Sequence, residues 1–381
     1  MKTLIEIHLL QNFAPSNLNR DDTGAPKDAI FGGTRRARIS SQCQKRAVRE
    51  FFNSKVELGV ISSDDLAVRT KRLHLALIDE LKALGREAGE AEHKVKTALA
   101  WLQLPVDDKN DKSQYLLFVG RREVSGIARL IDENWDAINT QPTEQGEKKS
   151  SKKDATKAAD SRIVKEIINA FNGGKAIDLA LFGRMLADLP EKNTDAACQV
   201  AHAISTHAVE REFDFYTAID DLKPDDTSGA DMMGTVEFNS ACLYRYAVIN
   251  WDKLVENLQE DGILAKKGLR QFIEAFVVSE PSGKQNSFAA HNPPEFVMVS
   301  IVSNGQPMSL LNAFEGTISH RNGITKASAE ALVGKAKALK DAYSRNSHEI
   351  IMDMTGINDS SFGVRRDRLE ELLDNVIAYV G

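Results

Sequence analysis

An α+β fold is predicted for this chain by three observations. Thr3 to Leu10 and Thr235 to Ala247 alternate apolar and polar residues, while Ala176 to Leu186 and Phe296 to Val302 are short apolar runs, so four strands are expected. Helical periodicity opens at Ser41, after the first strand, and returns over 253 to 279, between the last two. Long stretches of different character interrupt the chain on either side of the second strand. With 381 residues and 42% hydrophobic side chains, there is enough apolar material for one large core or two modest ones.

Each element has its own signal. Ile5, Ile7 and Leu9 share one face of the first strand, with Glu6 and His8 on the other. Ser41 followed by Gln44 reads as a capping box, and Cys43, Ala47 and Phe51, with Val48 beside them, give the helix an apolar stripe. From Ser63, a cap with first-turn acids (Asp64, Asp65) precedes a stripe of Leu66, Leu73, Leu77, Leu81 and Leu84 that Gly85 ends. More helix is expected over 92 to 104, 123 to 137 and 160 to 171, stopped by Gly173-Gly174, and Tyr115 to Val119 reads as a short strand or a helix start. Residues 60 to 175 are thus a helical insertion. A second insertion, 187 to 233, reads as a helix pair or a long hairpin whose tip holds Pro224, Asp225, Asp226, Gly229 and Gly234. Helices near 326 to 343 and 366 to 379 follow the fourth strand. The order is β-α-β-β-α-β with two insertions, the order of ferredoxin-like and RNA-recognition-motif folds. The base-stacking aromatic signature of an ordinary RNA-recognition motif is missing, so a nucleic acid would be held through loops.

Charge is segregated. Asn19 to Arg49 carries eight basic residues (Arg20, Lys27, Arg35, Arg36, Arg38, Lys45, Arg46, Arg49) against Asp21, Asp22 and Asp28, a net of +5 in a chain of −6, which leaves −11 elsewhere. Such a segment is expected to dock a polyanion. Ser40, Ser41 and Gln42 at a helix start add hydroxyls, an amide and unpaired backbone N–H groups, the parts of a phosphate cradle. A second basic run, GEKKSSKKDATK, has no apolar periodicity; Lys148, Lys149, Lys152, Lys153 and Lys157 are expected to form an exposed arm able to neutralise duplex DNA phosphates.

Catalytic patterns are lacking. There is no GxSxG, Walker loop or GxGxxG, HEII at 348 to 351 lacks a second zincin histidine, and the spacing of His202 and His207 suits no defined metal site. No metal or other cofactor is expected. Cys43, Cys198 and Cys242 read as reduced, buried thiols. Asp21-Asp22, beside the basic segment, leaves open a metal-dependent ribonuclease. No apolar run reaches membrane length and the first residues do not read as a signal peptide, so a cytoplasmic location is expected.

NRDD, KDAIFGG, RRARISSQ and KRA, in this order and spacing, resemble the amino-terminal signature of the CasC family, the backbone subunit of the type I-E CRISPR Cascade complex. The resemblance continues through ALFGRML (180 to 186), AHAISTHAVE (201 to 210), FDFYTAIDDL (213 to 222) and GTVEF with LYRYAVIN (234 to 250), and is weakest over 60 to 175 and after about 320. It implies a palm made of 1 to 59, the strand 176 to 186 and 234 to 381, with helical fingers at 60 to 175 and an extended hairpin, the thumb, at 187 to 233. It implies an antiviral, non-catalytic, RNA-binding subunit that repeats along a CRISPR guide RNA with other Cascade subunits and meets target DNA through the guide. It further places Arg20, Lys27, Ser40, Gln42, Lys45 and Arg46 at guide phosphates, and makes Met185 on the palm and Met232 or Met233 near the thumb tip candidates to wedge between bases. A stand-alone RNA chaperone remains the third reading.

Overall fold

The computed structural model describes residues 2–107, 109–138, 161–218, 232–319, 323–357 and 361–380. The chain divides into two compact units, one from Met1–Ser54, Cys198–Asp252 and Lys266–Gly381, the other from Lys55–Ala197 and Lys253–Ala265. No helix among the described residues is long and apolar enough to cross a membrane.

The first unit is α+β, built on a ten-stranded sheet. Strand β1 (Thr3–Ser16) runs antiparallel between the long strand Met232–Asn250 and Phe296–Ser303, with Ile7 opposite Ala247 on one side and Val299 on the other. Ser347–Asp353 and then Val364–Arg365 extend one side of the sheet; Ala203–Ser205, β3 (Thr34–Ile39) and β2 (Asp28–Phe31) extend the other. Gly32 and Gly33, at φ of 57° and 74°, close the β2–β3 hairpin. A two-residue turn with both residues at positive φ matches the twist of the strands it joins, so this segment is a hairpin.

Both faces of β1 are buried, which the alternation did not anticipate. The face of Glu6 and His8 is covered by the helix Ile324–Ala342 and the segment around Leu310, which pack on Leu4, Leu10, Tyr244 and Phe296. The buried polar residues pair with one another: His8 Nδ1 lies 2.8 Å from the Tyr244 hydroxyl, and Glu6 takes Arg345 at 2.7 Å and the Met308 N–H at 2.7 Å. Burial alone would push the Glu6 carboxyl up; His8 and Arg345 hold it below its ordinary value.

Helix α1 (Ser41–Glu57) follows β3. The Ser40 hydroxyl accepts the Cys43 N–H at 3.3 Å, so the cap lies one residue earlier than the sequence pattern indicated. Gln44 makes no capping box: it is buried, donates to the Ala201 carbonyl at 2.9 Å and accepts Arg245 Nε at 3.2 Å. The buried stripe is Gln44, Ala47, Val48 and Phe52, with Phe51 only partly covered.

The second unit packs helices Leu73–Ala83, Ala88–Trp101, Arg121–Glu133 and Ser161–Ala170 around Leu77, Leu81, Val95, Ile127, Ile131 and Ile167, with Ala67–Thr70 and Leu117–Gly120 paired beside them. Ala176 to Leu186 is not the expected palm strand. Ile177–Phe182 is a short helix, and the segment belongs to this helical unit. Cys198–Val200 and Ala203–Ser205 pair with Met232–Asn250 in the sheet instead.

Of the region 187 to 233, residues up to Ala197 belong to the helical unit and Cys198–Val200 and Ala203–Ser205 to the main sheet, and a hairpin arrangement is seen only from Glu212 on. Glu212–Ala218 pairs antiparallel with Met232–Phe238 as an extension of the long strand, and every residue of Glu212–Ala218 is exposed. Lys148, Lys149, Lys152, Lys153 and Lys157 lie outside the described residues, as does the hairpin tip.

Candidate nucleic-acid interface

The basic segment wraps the start of α1. Its loop is fixed by its own side chains: Asn17 Nδ2 donates to the Gly24 and Glu237 carbonyls, each at 2.9 Å, and Asn19 Oδ1 accepts the Ser40 N–H at 2.8 Å. Asp21 Oδ1 accepts from the Thr23 hydroxyl at 2.7 Å and from the Thr23 and Ala25 N–H groups. The Thr23 hydroxyl and these amides hold its carboxyl below the usual range, so Asp21 is the hub of the turn.

A cavity of about 550 Å³ opens between this loop, α1 and Pro281-Ser282-Gly283, lined among others by Arg20, Asp22, Cys43, Arg46 and Glu50. The backbone of the third wall touches the loop so closely that a Cβ on Gly283 would stand 2.3 Å from the Leu18 carbonyl oxygen. At the helix start, the Ser41 and Gln42 N–H groups make no hydrogen bond among the described residues. This is the donor pair that an oxyanion seeks.

The candidate phosphate ligands divide by environment. Arg20, Gln42 and Arg46 are exposed, and Lys27, Arg38, Lys45 and Arg49 are half-buried. Arg46 pairs with Glu50 at 2.8 Å on the surface, and Arg38 spans the Asp28 carbonyl at 3.0 Å and His202 Nδ1 at 2.9 Å. Arg35 is half-exposed and ion-paired with Asp28. Ser40 is buried with its hydroxyl on the cap, so it acts on the cradle by shaping the helix start. Arg36 departs from expectation: it is fully buried, and its guanidinium donates to the Ser205 and Phe314 carbonyls, each at 2.9 Å, and to Thr34 Oγ1 at 2.8 Å. Desolvation lowers its pKa. It ties β3 to two neighbouring segments and is closed to solvent.

Sequence reasoning missed Arg211. Its guanidinium reaches Asp28 Oδ2 at 2.8 Å and Glu237 Oε2 at 3.0 Å, fixing the base of the exposed hairpin to β2. Burial raises the Asp28 carboxyl, but Arg211 and Arg35 together bring it below its ordinary value. No local pattern marks Arg211, because its partners are 183 and 26 residues away.

On the hairpin, Met233 is 66% exposed, beside Phe213 and Phe215 at 66% and 63%. Met185, in the helical unit, is 80% exposed. A single exposed apolar side chain such as Met185 is ordinary, whereas several on one short hairpin form a patch of the kind that marks an interaction surface. His202 and His207 form no pair: His207 Nε2 accepts the buried Cys242 N–H at 3.1 Å. No cluster of three or more His, Cys, Asp or Glu able to hold a metal occurs among the described residues.

The profile of the CT1975-like protein family matches residues 5–375. No curated protein matches the chain. Among solved structures, it is similar to a chain of a CRISPR RNA-guided surveillance complex, pre-nicking, with 30% identity, a TM-score of 0.84, and 99% of this chain and 100% of that chain covered. It is also similar to a chain of another CRISPR RNA-guided surveillance complex, with 26% identity, a TM-score of 0.74 and 99% of each chain covered. Matched over nearly its whole length, the chain belongs to the CT1975-like protein family.

Proposed function

We propose that this chain is a non-catalytic backbone subunit of a type I-E CRISPR surveillance complex, in which several copies coat one guide RNA. The observation that carries this reading is the group of donors at the start of α1: the exposed cations Arg20 and Arg46 beside the cavity, and the exposed Gln42 amide with the unbonded Ser41 and Gln42 N–H groups at the helix end. Arg20, Lys27, Gln42, Lys45, Arg46 and Arg49 meet the guide phosphates, with Arg35 and Arg38 at the margin. The likeness to chains of CRISPR RNA-guided complexes supports the guide RNA and the other complex subunits, and the type I-E assignment rests on the CasC-like motifs alone. Base pairing then selects target DNA, and Lys148, Lys149, Lys152, Lys153 and Lys157 form an arm for the duplex. Met185 and Met233 wedge between guide bases. The ribonuclease alternative loses ground because the Asp21 carboxylate is already engaged by three donors of its own loop. A complex of this kind works on nucleic acid in the cytoplasm.

Nuclease protection of a guide RNA co-expressed with the chain tests the reading. A protected ladder repeating at about six nucleotides is expected, within the range of single-strand site sizes. Uniform or absent protection would contradict it, and EDTA-sensitive cleavage of RNA paired to the guide, abolished by Asp22→Ala, would favour the nuclease.

A further inference from the structure

Within the helical unit, an apolar side chain that is 80% exposed is flanked by two residues that are almost completely buried: Arg184, Met185 and Leu186 are 6%, 80% and 1% exposed. This is the alternation of an extended segment laid against a core, and the neighbouring contacts hold it in place. The Arg184 N–H and carbonyl both pair with Thr194 at 2.9 Å, and the Leu186 N–H donates to Asn193 Oδ1 at 2.6 Å. Before them, Gly183 sits at φ 75°, where a Cβ would stand 2.7 Å from the Thr194 carbonyl oxygen.

The Arg184 side chain runs inward. Nη1 lies 2.8 and 2.9 Å from the two oxygens of Glu123, and Nη2 is 3.2 Å from the Lys192 carbonyl. Glu123 is equally buried, and its oxygens also accept the Gly120 N–H at 2.7 Å and the Gly173 N–H at 2.5 Å. One carboxylate therefore ties together the start of the helix Arg121–Glu133, the turn at Gly173 and the backbone that carries Met185. Removing either partner of such a pair would leave the other buried charge unpaired, which holds the three segments to this one arrangement. That is what a wedge requires, since a side chain free to swing aside cannot hold two bases apart.

We infer that the Arg184–Glu123 pair, with Asn193, is the positioning device that fixes Met185 as a rigid wedge against guide bases. The inference rests on the guide-coating reading and on Met185 as a wedge. Arg184 and Glu123 are positioning residues and touch no RNA themselves.

The test uses the full chain assembled on guides carrying single 2-aminopurine substitutions, whose fluorescence rises where a base is unstacked. In the wild type, bright positions are expected to recur with the phosphate-protection ladder, and Met185→Ala should lower their contrast at least threefold while leaving the ladder unchanged. Arg184→Lys keeps the charge but cannot reach the same set of acceptors; it should reduce the contrast to the Met185→Ala level, again with the ladder intact. Asn193→Ala, which frees the Leu186 N–H without touching the buried pair, should reduce it in the same direction and raise amide hydrogen exchange at Leu186 at least tenfold. If Arg184→Lys does not fold, Glu123→Gln takes its place: it keeps an acceptor for the Gly120 and Gly173 N–H groups but removes the anion that Arg184 faces, and it too should reduce the contrast to the Met185→Ala level. Wild-type contrast in the folded variants, with Met185→Ala dim, would overturn the positioning role while leaving the coat reading standing. Undiminished contrast in Met185→Ala would overturn the wedge and the inference together, and absence of the ladder in the wild type would overturn the coat reading itself.

Discussion

Reversing two charges at the cradle gives the most quantitative expectation. Arg36 is closed off, and we take Arg20, Lys27, Lys45, Arg46 and Arg49, with Arg38 at the margin, as the six cations that meet phosphate, Arg46 exchanging its Glu50 partner for it. Each phosphate neutralised on a single strand contributes about −0.7 to the slope of log affinity against log salt, so these six give a slope of about −4. Lys45→Glu/Arg46→Glu leaves four, and a slope of about −3. Between 50 and 200 mM salt, the wild type should then lose about 300-fold in affinity and the variant about 50-fold, starting from weaker binding at low salt. Folding should be little affected, because Arg46 is 77% exposed and its Glu50 partner 49%, and a surface pair of this kind contributes little. Fluorescence anisotropy with a labelled RNA of about eight nucleotides, long enough to offer six phosphates and too short for two subunits at about six nucleotides each, reads the slope without the complication of neighbouring copies. An unchanged slope with unchanged affinity would show that these residues do not meet phosphate and would refute the cradle.

Three further outcomes are expected. Cys198 and Cys242, whose thiols burial pushes up to about 12 and about 11, should resist maleimide at pH 8 in the folded chain, while Cys43, half-buried on the cavity, should label slowly and be protected by guide RNA. Glu6→Gln removes the anion that Arg345 and His8 face in a sealed site and should destabilise the first unit by about 3 kcal/mol, read by urea unfolding at pH 7. Because the folded Glu6 pKa lies below 4.5, its contribution is complete above that pH and is lost as pH falls through the lower folded value; the variant should therefore show a shallower loss of stability in acid. Phe213→Ser/Phe215→Ser should shift stability by less than about 0.5 kcal/mol, since both rings are already exposed, yet abolish ordered assembly on a long guide as seen by sedimentation.

The sequence pattern reached furthest where a residue's environment is set by near neighbours. Ala47 and Val48 form the inner stripe of α1, and the strands around Ile7, Tyr244 and Val299 fall where alternation or apolar runs put them. It failed where distant chain decides. Glu6 and His8 look solvent-facing until the helix Ile324–Ala342, more than 300 residues later, covers their face. Ile177, Asp178, Leu179, Ala180 and Leu181 are all buried, and a segment covered on every side shows neither a period of two nor of 3.6, so strand and helix could not be told apart. Gly32-Gly33 was legible as a turn, but its hairpin required recognising the two-residue loop between Phe31 and Thr34.

At the cradle, the residue types were legible and their division of labour was not. Arg35, Arg36 and Arg38 stand close together in the sequence, yet one is half-exposed on Asp28, one is sealed among carbonyls and one bridges to His202. The alternation of a strand puts Arg36 on the face opposite Arg35 but on the same face as Arg38, and only tertiary packing against Ser205 and Phe314 determines that Arg36 is sealed while Arg38 is not. Arg184 carried a signal that could have been used: a lone arginine in the apolar run ALFGRML must be paired if buried.

The central claim is that copies of this chain line up along one RNA at a fixed interval, and native mass spectrometry of the chain assembled on guides of increasing length tests it most directly. Bound copies should rise in steps of one for about every six added nucleotides. A copy number that does not change with guide length, or that grows without steps, would contradict it.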